Sequence, residues 1–220
     1  MPNPEPSAAL LELLAERKEN EAGQFVRDEL SSGRLLRSLY LDVLGPTIEE
    51  ASRRHRAGRL TAAQETFVGE ATERIMASLA PLLFEAQGNP VRGAALCASF
   101  GTGNICRSAD AAAAVLAIDG YEICNAGVAP QFHDLAMMID ELNPALCLFC
   151  LNAPNGWKSL ARVLKSIAAR PKSRRPYAVV VLPDVILAAP VLVAGANICV
   201  PSAMQAIDAA RKTGVVASEA

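Results

Sequence analysis

Histidine is scarce in this sequence, and no catalytic set accompanies it. His55 and His133 are the only two histidines among 220 residues. No serine, cysteine or carboxylate stands with either of them in a nucleophile–base–acid pattern. We therefore predict that the protein is not an enzyme.

The chain also lacks a long apolar run and a strong excess of charge. No apolar stretch reaches the roughly 18 residues of a membrane span without a charge, proline or glycine; the longest, over residues 177–200, contains Pro183, Asp184 and Pro190. The formal net charge of -2 does not favour nucleic acid as a direct partner. The N-terminus shows no secretory signal, so we expect a cytoplasmic protein.

Cysteine is absent before Cys97 and occurs six times in all. In a cytoplasmic protein these are expected to be reduced thiols that pack as small apolar side chains, not a disulfide framework. Cys147 and Cys150 have the spacing of a redox or metal pair. Residues three apart on a strand point to opposite faces, however, which favours core packing.

The first part of the chain has the periodicity of helices. Ser7 is expected to cap the first helix, and the apolar spacing predicts a helix over residues 35–56 that Pro46 bends or offsets. Thr61 and Gln64 predict a capping box for a further helix over about residues 61–85. We expect a helical bundle over residues 1–87.

After a linker the pattern changes to alternating strands and helices, which predicts a doubly wound parallel sheet over residues 88–220. In such sheets ligands bind beyond the carboxyl ends of the strands. The fold class is therefore α + α/β, with a helical bundle first and a five-stranded sheet second. The predicted strands are 94–98, 121–124, 145–151, 177–182 and 197–200, and the predicted helices are 108–119, 134–142, 157–169 and 204–212.

Three segments carry a resemblance to a known family. The helical cap of cobalamin-binding modules, as in light-responsive transcriptional repressors and corrinoid proteins, is similar to LYLDVLGPTIEEASRRHRAGRLTAAQETFVGEATERIM. The second strand of the flavodoxin-like cobalamin-binding domain is similar to DGYEICNAG. The last strand and helix of that domain are similar to AGANICVPSAMQAIDAARK. The resemblance spans roughly residues 25–214 and implies a cap followed by a flavodoxin-like domain.

The residues with which the family holds its cofactor differ here. After the first strand the family has an acid, the cobalt-ligating His and a Gly, whereas this chain has Thr102, Asn104 and Arg107. An amide is a poor cobalt ligand beside imidazole, and Arg107 adds bulk where the cofactor tail enters. The resemblance therefore implies a degenerate member of the family.

Two later loops differ in the same direction. A Ser or Thr pair expected after the third strand falls at Cys150 and Asn152, and paired glycines expected after the fourth fall at Pro183 and Asp184. Proline and a carboxylate at those positions block or repel the phosphate of the nucleotide tail.

The cap retains one of three residues that face the cofactor in light-responsive relatives. Their Trp, Glu and His correspond to His55, Glu65 and Thr66. His55 is a candidate ligand for a metal centre such as haem; the alternative is an exposed histidine at a helix end. His133 is a second candidate ligand or pH-sensitive group, although a lone loop histidine is usually neither.

The loop after the first strand contains three further candidate residues. Thr102 and Asn104 can hold a ligand by hydrogen bonds, or the segment is an ordinary strand-to-helix turn. Cys106 lies near a helix N-terminus beside Arg107, which lowers the pKa of an exposed thiol and makes it a candidate redox sensor. The alternative is burial beneath the helix.

The resemblance implies a regulatory sensor that has lost the usual cobalamin ligation. Its cofactor stays unknown, with haem favoured over cobalamin, and it acts through a protein partner, a transcription regulator or a kinase. A homodimer is left open. The alternatives are a cobalamin-binding photoreceptor or sensor with weak or base-on ligation, a corrinoid methyl carrier, and a structural dimerisation module.

Overall fold

The computed structural model describes residues 5–101, 104–128, 130–151, 156–182 and 187–212, which form two compact units. The first unit comprises Met1–Gly88 and Gly103–Ile118, and the second comprises Asn89–Thr102 and Asp119–Ala220. The division expected from the sequence, at residues 87 and 88, assigns the helix after the first strand to the second part. The structure groups it with the first unit because it packs on the helices there.

The first unit is a helical bundle, as expected. A π-helical turn at Tyr40–Leu44 lies between its third and fourth helices. The helices are α1 (Pro6–Ala15), α2 (Glu19–Ser31), α3 (Leu36–Leu39), α4 (Gly45–Arg56), α5 (Ala62–Ser78), α6 (Ala80–Ala86) and α7 (Asn104–Ile118).

Prolines set several of these helix boundaries. Pro46 has no N–H to donate, and the π-helical turn before it takes up the change of register, so the predicted offset is confirmed. The predicted cap at Ser7 is wrong, since α1 begins at Pro6 and Ser7 lies inside its first turn. The single helix expected over residues 61–85 is also wrong, because α5 ends at Ser78 and a separate helix, α6, begins at Ala80 with Pro81 in its first turn.

The polar groups buried in the helical unit are paired. The Tyr40 hydroxyl donates to the carbonyl of Met76 at 3.4 Å, and burial raises the pKa of Tyr40 to about 12. The hydroxyls of Thr47 and Thr72 donate to carbonyls one turn earlier, at 2.7 and 2.8 Å. These bonds spare the bundle the cost of desolvated polar atoms.

The second unit is a five-stranded sheet in the order β2-β1-β3-β4-β5, with every pairing parallel. This confirms the predicted fold class. The strands are β1 (Ala94–Phe100), β2 (Glu122–Val128), β3 (Leu146–Leu151), β4 (Tyr177–Val181) and β5 (Ile198–Val200), and the helices are α8 (Phe132–Leu142), α9 (Trp157–Ala168), α10 (Ala188–Ala194) and α11 (Ala203–Lys212).

One face of this sheet packs against α8, α9 and α10. Its core includes Leu96, Phe149 and Val180, and the rings of Phe100 and Phe149 meet edge-on at 5.8 Å. Helix α10 was not expected from the sequence. No helix in the described ranges has the length and apolar character needed to cross a membrane.

Candidate functional site

His55 lies in the last turn of α4, where a tight turn brings a backbone carbonyl onto its ring. Gly58, with φ of +69°, ends the helix and reverses the chain. The carbonyl oxygen of Leu60 then lies 3.0 Å from His55 Nδ1. Because a carbonyl only accepts, Nδ1 carries the hydrogen, and in the neutral ring Nε2 is the nitrogen left with a lone pair.

Glu65 is held beside this ring by the start of α5. The predicted capping box is confirmed: Gln64 N–H donates to the Thr61 hydroxyl at 3.2 Å, and Thr61 N–H donates to the Gln64 side chain at 3.0 Å. This fixes the first turn of α5, in which Glu65 is the fourth residue. The sequence pattern of the box was sufficient to find this anchor.

The His55–Glu65 cluster comprises Ser52, His55, the Leu60 carbonyl and Glu65. Glu65 Oε2 lies 3.6 Å from His55 Nε2, and Glu65 Oε1 accepts from the Ser52 hydroxyl at 2.7 Å. The His55 and Glu65 side chains are 38% and 21% exposed, so both remain accessible to a ligand. An imidazole whose other nitrogen is bound to a carbonyl has the arrangement of a metal ligand.

Two site residues expected from the resemblance, His55 and Glu65, are thus brought together. Sequence reasoning missed Ser52 and the Leu60 carbonyl, which orient them. A serine three residues before the histidine on a helix carries no signal of its own. Within the described ranges, no group of three or more His, Cys, Asp or Glu side chains is arranged to hold a metal ion.

Arg107 is engaged within the helical unit. Its Nε donates to Glu73 Oε2 at 3.0 Å, and its Nη2 lies 4.0 Å from Glu70. Arg107 therefore joins α7 to α5. The expectation that it fills the space of a cofactor tail stays a prediction.

The loops that the resemblance assigns to cofactor binding are largely outside the description. Thr102, Asn152, Pro183 and Asp184 lie outside the described residues. Asn104 and Cys106 lie in the first turn of α7, which begins four residues earlier than expected, and their side chains lie outside the description. The roles expected for these residues stay predictions.

His133, in the first turn of α8, lines a polar cleft of the second unit. The cleft has a volume of about 370 Å³, and its wall includes Gln131, Ser159 and Arg162. The Arg162 guanidinium carbon lies 4.4 Å above the centre of the Phe132 ring. This stacked arginine was not expected, since no local pattern connects α8 to α9.

Cys150 lies fully buried in β3, paired in register with Ser99 and Val181. Cys147 is also fully buried, and burial raises the pKa of its thiol. Neither thiol is in a disulfide, and the alternation of a strand places them on opposite faces of the sheet. This geometry is that of core packing and not of a redox pair.

The helical segment matches a known family. Residues 7–80 match the family model described as "B12 binding domain". This segment contains the His55–Glu65 cluster. No curated protein matches the sequence.

Two solved structures are similar over nearly their whole length. The monomethylamine corrinoid protein of Methanosarcina barkeri superposes with a TM-score of 0.71 at 13% identity, covering 93% of this chain and 96% of that one. A cobalamin-binding protein from Desulfitobacterium hafniense DCB-2 superposes with a TM-score of 0.53 at 13% identity, covering 93% and 97%. The family match supports the resemblance over residues 7–80, and the two superpositions show that the fold is that of corrinoid and cobalamin-binding proteins.

Proposed function

We propose that this chain, which has the fold of a corrinoid protein, binds a corrinoid cofactor and acts through a protein partner without being a catalyst itself. The observation that carries the proposal is the match of residues 7–80 to the B12 binding domain. The shared fold of corrinoid and cobalamin-binding proteins supports it. This is the function that the resemblance gave only as an alternative. The expected cytoplasmic location stays a prediction.

The cobalt is expected to be ligated differently from that of typical relatives. Asn104 stands where the resemblance expects a histidine, so the base of the cofactor itself is the lower ligand we propose. Among the described residues, His55 is the one we propose as a protein ligand, because Leu60 fixes its ring and leaves Nε2 for a metal. When bound, a corrinoid would supply a cobalt centre that exchanges ligands.

The test uses the purified full chain with hydroxocobalamin. We expect a corrin spectrum that elutes with the protein on gel filtration, with the absorption bands shifted as imidazole replaces the water or hydroxide on cobalt. His55→Ala should remove the band shift, whereas His133→Ala, the matched loss of the other histidine, should keep it. Failure of the corrinoid to elute with the wild-type chain contradicts the proposal.

The lower ligand is tested in the His55→Ala variant, in which the proposed protein ligand cannot contribute, by reducing the complex and recording its electron paramagnetic resonance spectrum with ¹⁵N-labelled protein and unlabelled cofactor. A base from the cofactor gives the ¹⁴N triplet splitting. A protein nitrogen gives a ¹⁵N doublet, which contradicts base-on ligation.

A second candidate function is a sensor that takes haem, or no cofactor, and contacts a transcription regulator or kinase. The observation that favours it is the residue set Thr102, Asn104 and Arg107, in which none of the three family residues is retained. In the experiment above, this candidate predicts that no corrinoid elutes with the protein. After addition of hemin, a Soret band that elutes with the protein indicates a haem sensor, and its absence indicates a sensor without a cofactor.

A further inference from the structure

A groove lies between α9 and α10 on the second unit. It has a volume of about 490 Å³, and its floor and rim are formed by apolar side chains of both helices: Trp157, Ala161, Pro190, Val193 and Ala194. The α9–α10 groove, defined by these five residues, is remote in sequence from the His55–Glu65 cluster and independent of the corrinoid proposal.

The outer side of α10 is unusually apolar for a surface helix. Its sequence, AAPVLVA, contains no charged or hydrogen-bonding side chain. Val193 is 89% exposed and Leu192 is 46% exposed. Adjacent exposed aliphatic side chains beside a concave surface are typical of a site that another protein covers.

The groove is preformed because α10 closes tightly onto α9 at one end. Gly195, with φ of +120°, follows α10 directly, and a Cβ at this position would lie 2.8 Å from Ala168 Cβ and 2.9 Å from the Leu164 oxygen. Only glycine permits this approach. The two helices therefore hold a fixed separation there, which reduces the cost of ordering the groove on binding.

One side of the groove is strongly cationic. Lys158, Arg162 and Lys165 line it along α9, and neither α9 nor α10 contains an Asp or Glu. Within the described ranges, none of the three cations forms an ion pair; Arg162 stacks on Phe132. Exposed cations beside an apolar floor are complementary to an occupant that is both apolar and negatively charged.

We propose that the α9–α10 groove docks an acidic amphipathic helix of a partner protein. The three cations follow one another at intervals of four and three residues, which places them on one face of α9. A helix lying along the groove presents carboxylates at the same intervals and a row of apolar side chains to the floor. A concave apolar floor fits projecting side chains, whereas a lipid surface offers none.

The twelve residues of α9 give the contact a length of about 18 Å. A partner helix of about four turns covers this length. Salt weakens the contact, because exposed charges contribute to it.

The only tryptophan of the chain, Trp157, lines the groove and reports its occupancy. The probe is a synthetic amphipathic helix with Glu at intervals of four and three residues beside a Leu and Phe face. A second peptide has Lys at the same positions. Titration of the full chain with the acidic peptide should shift the tryptophan emission to the blue and saturate, whereas the Lys peptide should leave it unchanged.

Charge reversal on the protein provides the matched control. K158E/K165E should weaken the binding of the acidic peptide at least about tenfold and allow the Lys peptide to bind. K172E/R174E changes the net charge equally at exposed residues away from the groove and should bind as the wild type does. Both double variants retain the stacking of Arg162 on Phe132. Circular dichroism checks that each variant is folded.

The proposal is overturned if both peptides bind alike, or if K172E/R174E weakens the acidic peptide as much as K158E/K165E does. It is also overturned if phosphatidylglycerol vesicles shift the tryptophan emission and the acidic peptide does not, since the groove then serves a membrane. V193D removes apolar contact with the bound peptide and leaves the three cations in place. It should weaken the binding of the acidic peptide even at high salt.

Discussion

On the face of the sheet that packs against α8, α9 and α10, the core consists of apolar side chains and Cys147 alone, whereas the helical unit buries the hydroxyls of Tyr40, Thr47 and Thr72. The helical unit also joins separate helices by ion pairs, as in Arg107–Glu73. The contrast concerns this face of the sheet and not the whole sheet unit, which has ion pairs of its own, such as Arg170–Asp140. Packing of apolar side chains stabilises this face, whereas the helical unit combines packing with buried hydroxyls and the His55–Glu65 cluster.

Phe149→Ala gives the largest expected effect. Phe149 is fully buried and meets Phe100 edge-on, so its removal leaves a cavity and should destabilise the protein by about 3–5 kcal/mol. Urea denaturation measures the loss, which should be the same at low and high salt. Phe84→Ala makes the same change at a side chain that is 77% exposed, on α6, and should cost much less. Equal losses in the two variants contradict the assignment of Phe149 to the core.

The sheet was predictable because its signals are local. Short apolar runs separated by helical periods gave all five strands and the topology class. Helix α10 was missed because seven apolar residues within an apolar stretch have no periodicity that separates helix from strand. The break at Pro81 was missed although the proline itself marks it.

The candidate site was predictable only where sequence neighbours form it. The capping box formed by Thr61 and Gln64 fixes the helical turn that contains Glu65, and all three residues are close in sequence. The contact of His55 with the Leu60 carbonyl depends on the turn that Gly58 makes. The Arg107–Glu73 pair joins residues 34 positions apart, so no local pattern could have indicated it.

Arg107→Gln should lower the free energy of unfolding less than Phe149→Ala does, and the loss should depend on salt. The Arg107 side chain is 22% exposed and that of Glu73 is 57% exposed, so solvent screens the pair. A double-mutant cycle with Glu73→Gln should give a coupling of at most about 1 kcal/mol that falls as salt rises. Arg56→Gln, at an exposed residue of α4, is the matched control. A coupling that does not change with salt argues against an exposed ion pair.

The smallest expected effect is on stability at acidic pH, when Glu19 of the helical unit is replaced. The hydrogen bond from Arg74, at 2.7 Å, holds the pKa of Glu19 below its ordinary value of 4.5. A folded-state pKa below the unfolded value means that the bond stabilises the folded state above the ordinary pKa, and that this contribution is lost as pH falls through the folded value. Glu19→Gln should therefore slightly flatten the fall in stability below about pH 4.5 measured by urea denaturation. Glu21→Gln, at an exposed residue of the same helix, should leave the acid slope closer to that of the wild type. If the two variants give the same slope, the pairing with Arg74 makes no separate contribution, and the contrast between the units then rests on the buried groups alone.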